Sequence, residues 1–173
     1  NNFKIILFYK YVLIKNPKKL MDGQKKLCQK LNLKGRIIVA EEGINATLEG
    51  TGENIKEYCK QLLKDKRFAK THIKISDGTG KAFPKMSIKV RPEIVASGLD
   101  DLDPSKVSGK YISAQKLHEW WYKKKEFFVV DMRNDFETRV GFFENSIYSN
   151  MEKFSDLPKF LPKIEHLKGK TII

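Results

Sequence analysis

"GRIIVAEEGINATLEG" (residues 35–50) decides the fold. "RIIVA" (36–40) is a run of β-branched and small apolar residues, which reads as a strand. "EEGIN" (41–45) puts two carboxylates, a glycine and an asparagine where a chain reverses. "ATLEG" (46–50) then reads as the returning strand. Glu42, Gly43 and Asn45 carry two readings at this point. Either they build a structured turn, with Gly taking an unusual φ and Asn bonding locally, or they contact a substrate.

The flanks complete a pattern. "FKIILFYKYV" (3–12) reads as a strand with both faces partly buried. Asn16-Pro17 is an N-cap followed by Pro at the first helical position. The helix it opens carries Leu20, Gln24, Leu27, Cys28 and Leu31 along one stripe. Thr51 caps a second helix with the stripe Ile55, Tyr58, Cys59, Leu62 and Leu63, and "THIKIS" (71–76) reads as a fourth strand. The order βαββαβ is the ferredoxin-like pattern, two helices on one face of an antiparallel sheet. In "DGTGKAFPKMSIKVRPEIVASG" (77–98), Met86, Ile88 and Val90 alternate with Lys85, Lys89 and Arg91. If extended, that segment puts apolar residues on one side and three cations on the other.

A second domain follows. Residues 1–98 form the first domain in this reading, and the polar, acidic "LDDLDPSKVSGK" (99–110) reads as a linker. Residues 111–173 then alternate helix and strand, which implies a parallel sheet. Ser113 is an N-cap, with Leu117, Trp120 and Trp121 as the apolar stripe. "FFVVDMR" (127–133) reads as a buried strand ending in charges. "NDFETRVGFFENSIY" (134–148) reads as a short helix, a Gly and an extended piece, and "KFSDLPKFLPKIEHLKGK" (153–170) as a Pro-interrupted helical stretch. Thr171-Ile172-Ile173 reads as the opening of a further buried strand, so the expectation is that this second domain is incomplete. The fold class is α/β: an α+β first domain and a parallel-sheet second one.

Charge separates the two parts. The chain of 173 residues has a net charge of +13, and residues 1–98 hold 21 Lys and Arg against 9 Asp and Glu. Residues 99–173 hold 13 against 12. The excess is either a polyanion-binding first half or the drift of a Lys-rich composition. The longest apolar stretch, Phe3 to Ile14, is interrupted by Lys4 and Lys10 and is too short to cross a bilayer. It lacks the charged start and small-residue cleavage site of a secretory signal, so the expected location is the cytoplasm, without a membrane partner.

Few residues carry obvious chemistry. Cys28 and Cys59 sit on apolar helix stripes and read as packing residues. His72, His118 and His166 have no spacing that suggests metal ligation, and Ser113 lacks the glycine-rich elbow of a nucleophile. "VVDMRNDFETRVGFF" (129–143) differs: an apolar strand delivers Asp131 and Arg133 at its C-terminal end, where open α/β sheets place their sites. Glu137 follows on the next helix, and Gly141 ends it. The alternative is an ion-paired strand end with a purely structural role.

Asp131-x-Arg133-x-x-x-Glu137-x-x-x-Gly141 resembles the first box of rhodanese-like domains, and "GKYISAQKLHEWW" (109–121) resembles their opening strand and helix. Phe142 stands where that family usually has His. "GRIIVAEEGINATLEG" and "FPKMSIKVRPEIV" (83–95) resemble boxes of the bacterial rhodanese-domain tRNA uridine hydroxylases. Those proteins pair a ferredoxin-like, acylphosphatase-like domain with a rhodanese-like α/β domain. The resemblance implies oxygen-dependent hydroxylation of the wobble uridine in the tRNA anticodon to 5-hydroxyuridine. Molecular oxygen is the implied co-substrate, with no metal or other cofactor. It also implies that the catalytic cysteine lies beyond Ile173, in a loop after the strand that "KTII" begins, so no residue of this chain is catalytic. Asp131 and Arg133 would then buttress that loop from the neighbouring strand, with Glu137 on the following helix in support.

With tRNA as partner, and no DNA expected, Lys85, Lys89 and Arg91 become the first candidates for phosphate contacts, and Lys10 and Arg36 the second. Each is otherwise an ordinary solvated cation. Two other functions fit the same residues: a rhodanese-type sulfurtransferase, and a non-catalytic RNA-binding module. Oligomeric state has no signature in the sequence.

Overall fold

The computed structural model describes residues 2–99 and 109–173. The chain divides into two compact units, Asn1–Val95 and Ala96–Ile173.

In the first unit, hydrophobic alternation builds β1 (Phe3–Tyr11), β2 (Lys34–Ala40), β3 (Gly43–Thr51), β4 (Lys74–Gly78) and β5 (Met86–Val90). They form one sheet in the order β4-β1-β3-β2-β5. All neighbours are antiparallel except β2 and β5, which run parallel. Two helices, α1 (Pro17–Lys30) and α2 (Gly52–Lys64), connect the strands. Their starts are fixed as the caps require: the Asn16 side chain accepts from Lys19 N–H at 2.9 Å, and Thr51 Oγ1 from Asn54 N–H at 3.3 Å.

One sheet face makes the core. Ile6 and Phe8 of β1, Ile37 and Val39 of β2, and Ile44, Ala46 and Leu48 of β3 pack against Cys28, Leu31, Ile55, Tyr58 and Leu62 of the helix stripes and their ends. The buried Tyr58 Oη donates to Gln24 Oε1 at 2.6 Å, joining α1 to α2. Gly43 starts β3 where β1 comes too close for any side chain. A Cβ there would meet the Lys10 carbonyl oxygen at 2.1 Å.

Three expectations need correction. The reversal at 41–45 is tighter than expected, because β3 already begins at Gly43 and only Glu41 and Glu42 turn. The fourth strand lies at Lys74–Gly78 and not at 71–76, set by its pairing of Phe3 with Gly78 and Leu7 with Lys74. Leu63 ends the α2 stripe on the surface.

In the second unit, α3 (Ala114–Tyr122) follows a Ser113 cap that accepts from Lys116 N–H at 3.1 Å. No strand precedes it over the described residues 109–113. β6 (Val130–Asp131) and β7 (Ile147–Tyr148) pair in parallel. Residues 171–173 run parallel to β6's other side, through Phe128 N–H to Thr171 O at 2.9 Å and Val130 N–H to Ile173 O at 2.8 Å. Between them lie α4 (Asp135–Thr138), α5 (Leu157–Phe160) and 3-10 turns at Phe154–Asp156 and Leu161–Leu167. Met151, Leu157 and Phe160 centre a small core. "FFVVDMR" is only partly buried, contrary to the expectation of a buried strand. The acidic linker expected at 99–110 lies, for residues 100–108, outside the described residues. Among the described residues, no helix is long and apolar enough to cross a membrane.

Candidate functional site

Strand register assigns every side chain of the first unit's sheet to a face, because directly paired residues point the same way. Ile6, Ile44 and Ile37 point to the helices, so their neighbours in sequence point to the opposite, helix-free face. That face is organised in columns. β1 contributes Ile5, Leu7, Tyr9 and Tyr11, which are apolar and aromatic. β5 and its flanks contribute Lys85, Ser87, Lys89 and Arg91. Both flanks belong to the ladder: Gly35 N–H donates to Lys85 O at 3.2 Å, and Arg91 N–H to Val39 O at 2.9 Å. β2 adds Lys34 and Arg36, which pairs with Ser87, and β4 adds Lys74.

The structure therefore brings Arg36, Lys85, Lys89 and Arg91 onto one sheet face, all four exposed. It separates Lys10 from them. Lys10 pairs with Ile44 and points to the helix side.

The carboxylates and amide of this region do local work that the sequence did not reveal. Glu42 Oε1 accepts from Ile94 N–H at 2.6 Å, and Asn45 Nδ2 donates to Ile94 O at 3.1 Å. Together they clamp both backbone groups of a buried residue some fifty positions away. Glu49 is only 2% exposed, yet fully engaged. Its two oxygens accept from Thr79, Gly80 and Ala82 N–H at 2.9, 2.7 and 2.9 Å. Glu49 thus ties down the connection between β4 and β5. A Glu in a strand gives no sequence sign of partners thirty residues on; only the nearby Gly78 and Gly80 hint at a tight loop.

In the second unit, Asp131 ends β6 and Arg133, two residues on, folds back onto it as a fork. Arg133 Nε donates to Asp131 Oδ1 at 2.9 Å, and Nη2 to Oδ2 at 2.6 Å. Nη2 also donates to the Gly141 carbonyl at 2.6 Å, so the pair holds the loop after α4. The Asp131 side chain is 8% exposed. Hydrogen bonding from Arg133 holds its carboxyl below the usual carboxylate range, and Asp131 correspondingly raises Arg133. Glu137 does a different job: its Oε2 accepts from Asn134 N–H at 3.1 Å and closes the start of α4. The three residues expected to act together are two devices, a loop clasp and a helix cap. Phe142 packs against Tyr148 at a tilt, with ring centroids 5.3 Å apart.

Neither cysteine is chemically primed. Burial pushes the Cys28 thiol up to about 12, and burial raises Cys59 as well.

Among known families, the UPF0176 acylphosphatase like domain matches residues 3–94. The chain belongs to this family. Curated relatives extend the likeness beyond that domain. A protein of Bacillus licheniformis named tRNA uridine(34) hydroxylase is 39% identical over 175 aligned residues, covering 100% of this chain and 54% of its own length. One of Aster yellows witches'-broom phytoplasma with the same name is 40% identical, covering 100% and 56%. One of Staphylococcus haemolyticus, again so named, is 38% identical, covering 99% and 54%. The chain spans about half the length of the curated relatives it matches.

Proposed function

We propose that the protein to which these residues belong hydroxylates the wobble uridine of tRNA anticodons to 5-hydroxyuridine, with molecular oxygen as co-substrate. The observation that carries this reading is the likeness, at 38 to 40% identity over essentially the whole chain, to proteins named tRNA uridine(34) hydroxylase. In this reading the acylphosphatase-like unit holds tRNA, and Lys85, Lys89, Arg91 and Arg36 contact its phosphates. Four cations on one face supply the counterion-releasing contacts that a polyanion needs. Lys10, on the other face, takes a minor part at most.

The reactive thiol is neither Cys28 nor Cys59, whose burial disfavours the thiolate. As the resemblance to the rhodanese-domain hydroxylases implies, it would lie in a loop outside these residues. Asp131 and Arg133 position the second unit's loop at Gly141. A cytoplasmic location follows from the substrate.

The test is nucleoside mass spectrometry of tRNA from a strain lacking the activity and supplied with the full-length gene. Appearance of 5-hydroxyuridine is the expected result. Its absence with folded, expressed protein overturns the reading. Cyanide-dependent thiocyanate formation without any hydroxylated uridine would assign a sulfurtransferase instead.

A further inference from the structure

The open face of the acylphosphatase-like unit is a trough with two walls. One wall is the 79–82 connection, fastened across the face by Glu49. The other is the segment around Ile94, which leaves the edge strand after Arg91 and is fastened by Asn45 and Glu42. Glu49 and Asn45 lie four residues apart on β3, so the walls stand about 13 Å from each other at a strand rise of about 3.3 Å per residue. The floor between the walls is the row Leu7, Thr47, Arg36 and Ser87; Tyr9 and Lys89 flank it in the row of Asn45, and Lys85, just before β5, flanks it toward Glu49.

Two features of the floor fit one occupant. Leu7 on the floor and Tyr9 beside it are 41% and 45% exposed, an apolar and aromatic surface on a strand that fully buries only Ile6 and Phe8. Three strand spacings away, about 14 Å, the other end is cationic. Glu49, the acid on the floor's own strand, is saturated by three N–H groups, and Glu42 and Glu93 stand beside Tyr11, at the end of the face away from the cations of β2 and β5. A ligand that is apolar and flat on one side and polyanionic on the other matches this division. The width admits a single strand, whereas a duplex would rest on the walls.

We propose that this trough binds an unpaired stretch of RNA, its bases against Leu7 and Tyr9 and its phosphates along Arg36, Lys85 and Lys89. Aromatic stacking is sequence-tolerant, and lysine contacts to phosphates carry no sequence information. The trough therefore selects unpaired over paired RNA and does not read a sequence. The inference rests on the tRNA reading above and names where a loop of that RNA lies.

Fluorescence anisotropy of the 173-residue chain, with an RNA stem–loop and a blunt duplex of equal length, tests it. The stem–loop binds more tightly, and Tyr9→Ala weakens it about 5- to 150-fold, the range for loss of one stacked base. Tyr9→Phe keeps the affinity, and duplex binding is unchanged in both variants. Lys89→Ala lowers the salt slope for the loop by about 0.7. A readout on the unaltered chain guards against a folding defect: 4-thiouridine in the loop photocrosslinks to β1 around Leu7 and Tyr9. Equal affinity for loop and duplex, crosslinks confined to α1 or α2, or competition by an acidic peptide as strong as by RNA would each overturn it. The two readings fail separately. Hydroxylation by the full-length protein with crosslinks away from β1 removes the trough alone, and loop-selective binding without 5-hydroxyuridine removes the activity alone.

Discussion

The two units differ in how far they bury their aromatic residues. In the first, Phe8, Tyr58 and Phe68 are almost fully buried beneath a five-stranded sheet. In the second, α3 buries no residue, and Phe136, Phe142, Phe143 and Trp121 are exposed, with Val140 at 91%. Its order comes from the Asp131–Arg133 clasp, the parallel pairing of residues 128–131, and a core centred on three buried side chains. The first unit is held by area removed from water, the second to a larger degree by hydrogen bonds and ion pairs.

That contrast can be broken by mutation, and the largest effect belongs to the first unit. Tyr58→Ala should cost about 3–5 kcal/mol, because it opens a cavity and strands Gln24. Urea unfolding followed by far-UV circular dichroism measures it; a loss under about 1 kcal/mol would show that the core is not what stabilises this unit. Glu49→Ala should cost about 2–3 kcal/mol by leaving three backbone N–H groups without their acceptor. Hydrogen exchange should rise first at residues 79–82, and unchanged protection there would contradict the role given to Glu49.

The second unit should answer to pH. Asp131 titrates below its ordinary value in the folded state, so its contribution is complete above an ordinary carboxylate pKa of about 4 and is lost as pH falls through the lowered value. Both tryptophans, Trp120 and Trp121, lie in this unit, so their fluorescence reports on it. The acid transition should flatten in Asp131→Asn, and an unaltered acid limb would remove the clasp from the account. Smallest of all, Val140→Ser should change stability by no more than about 0.5 kcal/mol, since its side chain already faces solvent. A clear loss would mean that the aromatic surface is packed in solution.

Much of the first unit was legible because its signals are local. Asn16-Pro17 and Thr51 fix helix starts, and the stripes through Cys28 and Tyr58 show which side is buried. What escaped is long-range. Nothing near Glu42 or Asn45 in sequence shows that both grip Ile94, and nothing near Glu49 points to residues 79–82. Alternation at Met86–Val90 gave an extended segment with its cations on one side, but not its parallel place beside β2. Sheet register then decided which cations share a face, uniting Arg36 with Lys89 and excluding Lys10. In the second unit, "FFVVDMR" has the composition of a buried strand, yet its burial depends on what packs against it, which composition does not encode.

The difference between the units bears most directly on the proposal that the first of them binds tRNA. The decisive measurement is the salt dependence of tRNA affinity for this chain, compared between two triple variants. One removes Lys85, Lys89 and Arg91 from the open sheet face; the other removes Lys123, Lys124 and Lys125 after α3. The first variant should lose most of its affinity and about 2 units of slope in log K against log salt, while the second keeps both. Equal losses in the two variants, or an affinity that salt does not change, would contradict the claim that the acylphosphatase-like unit carries the RNA.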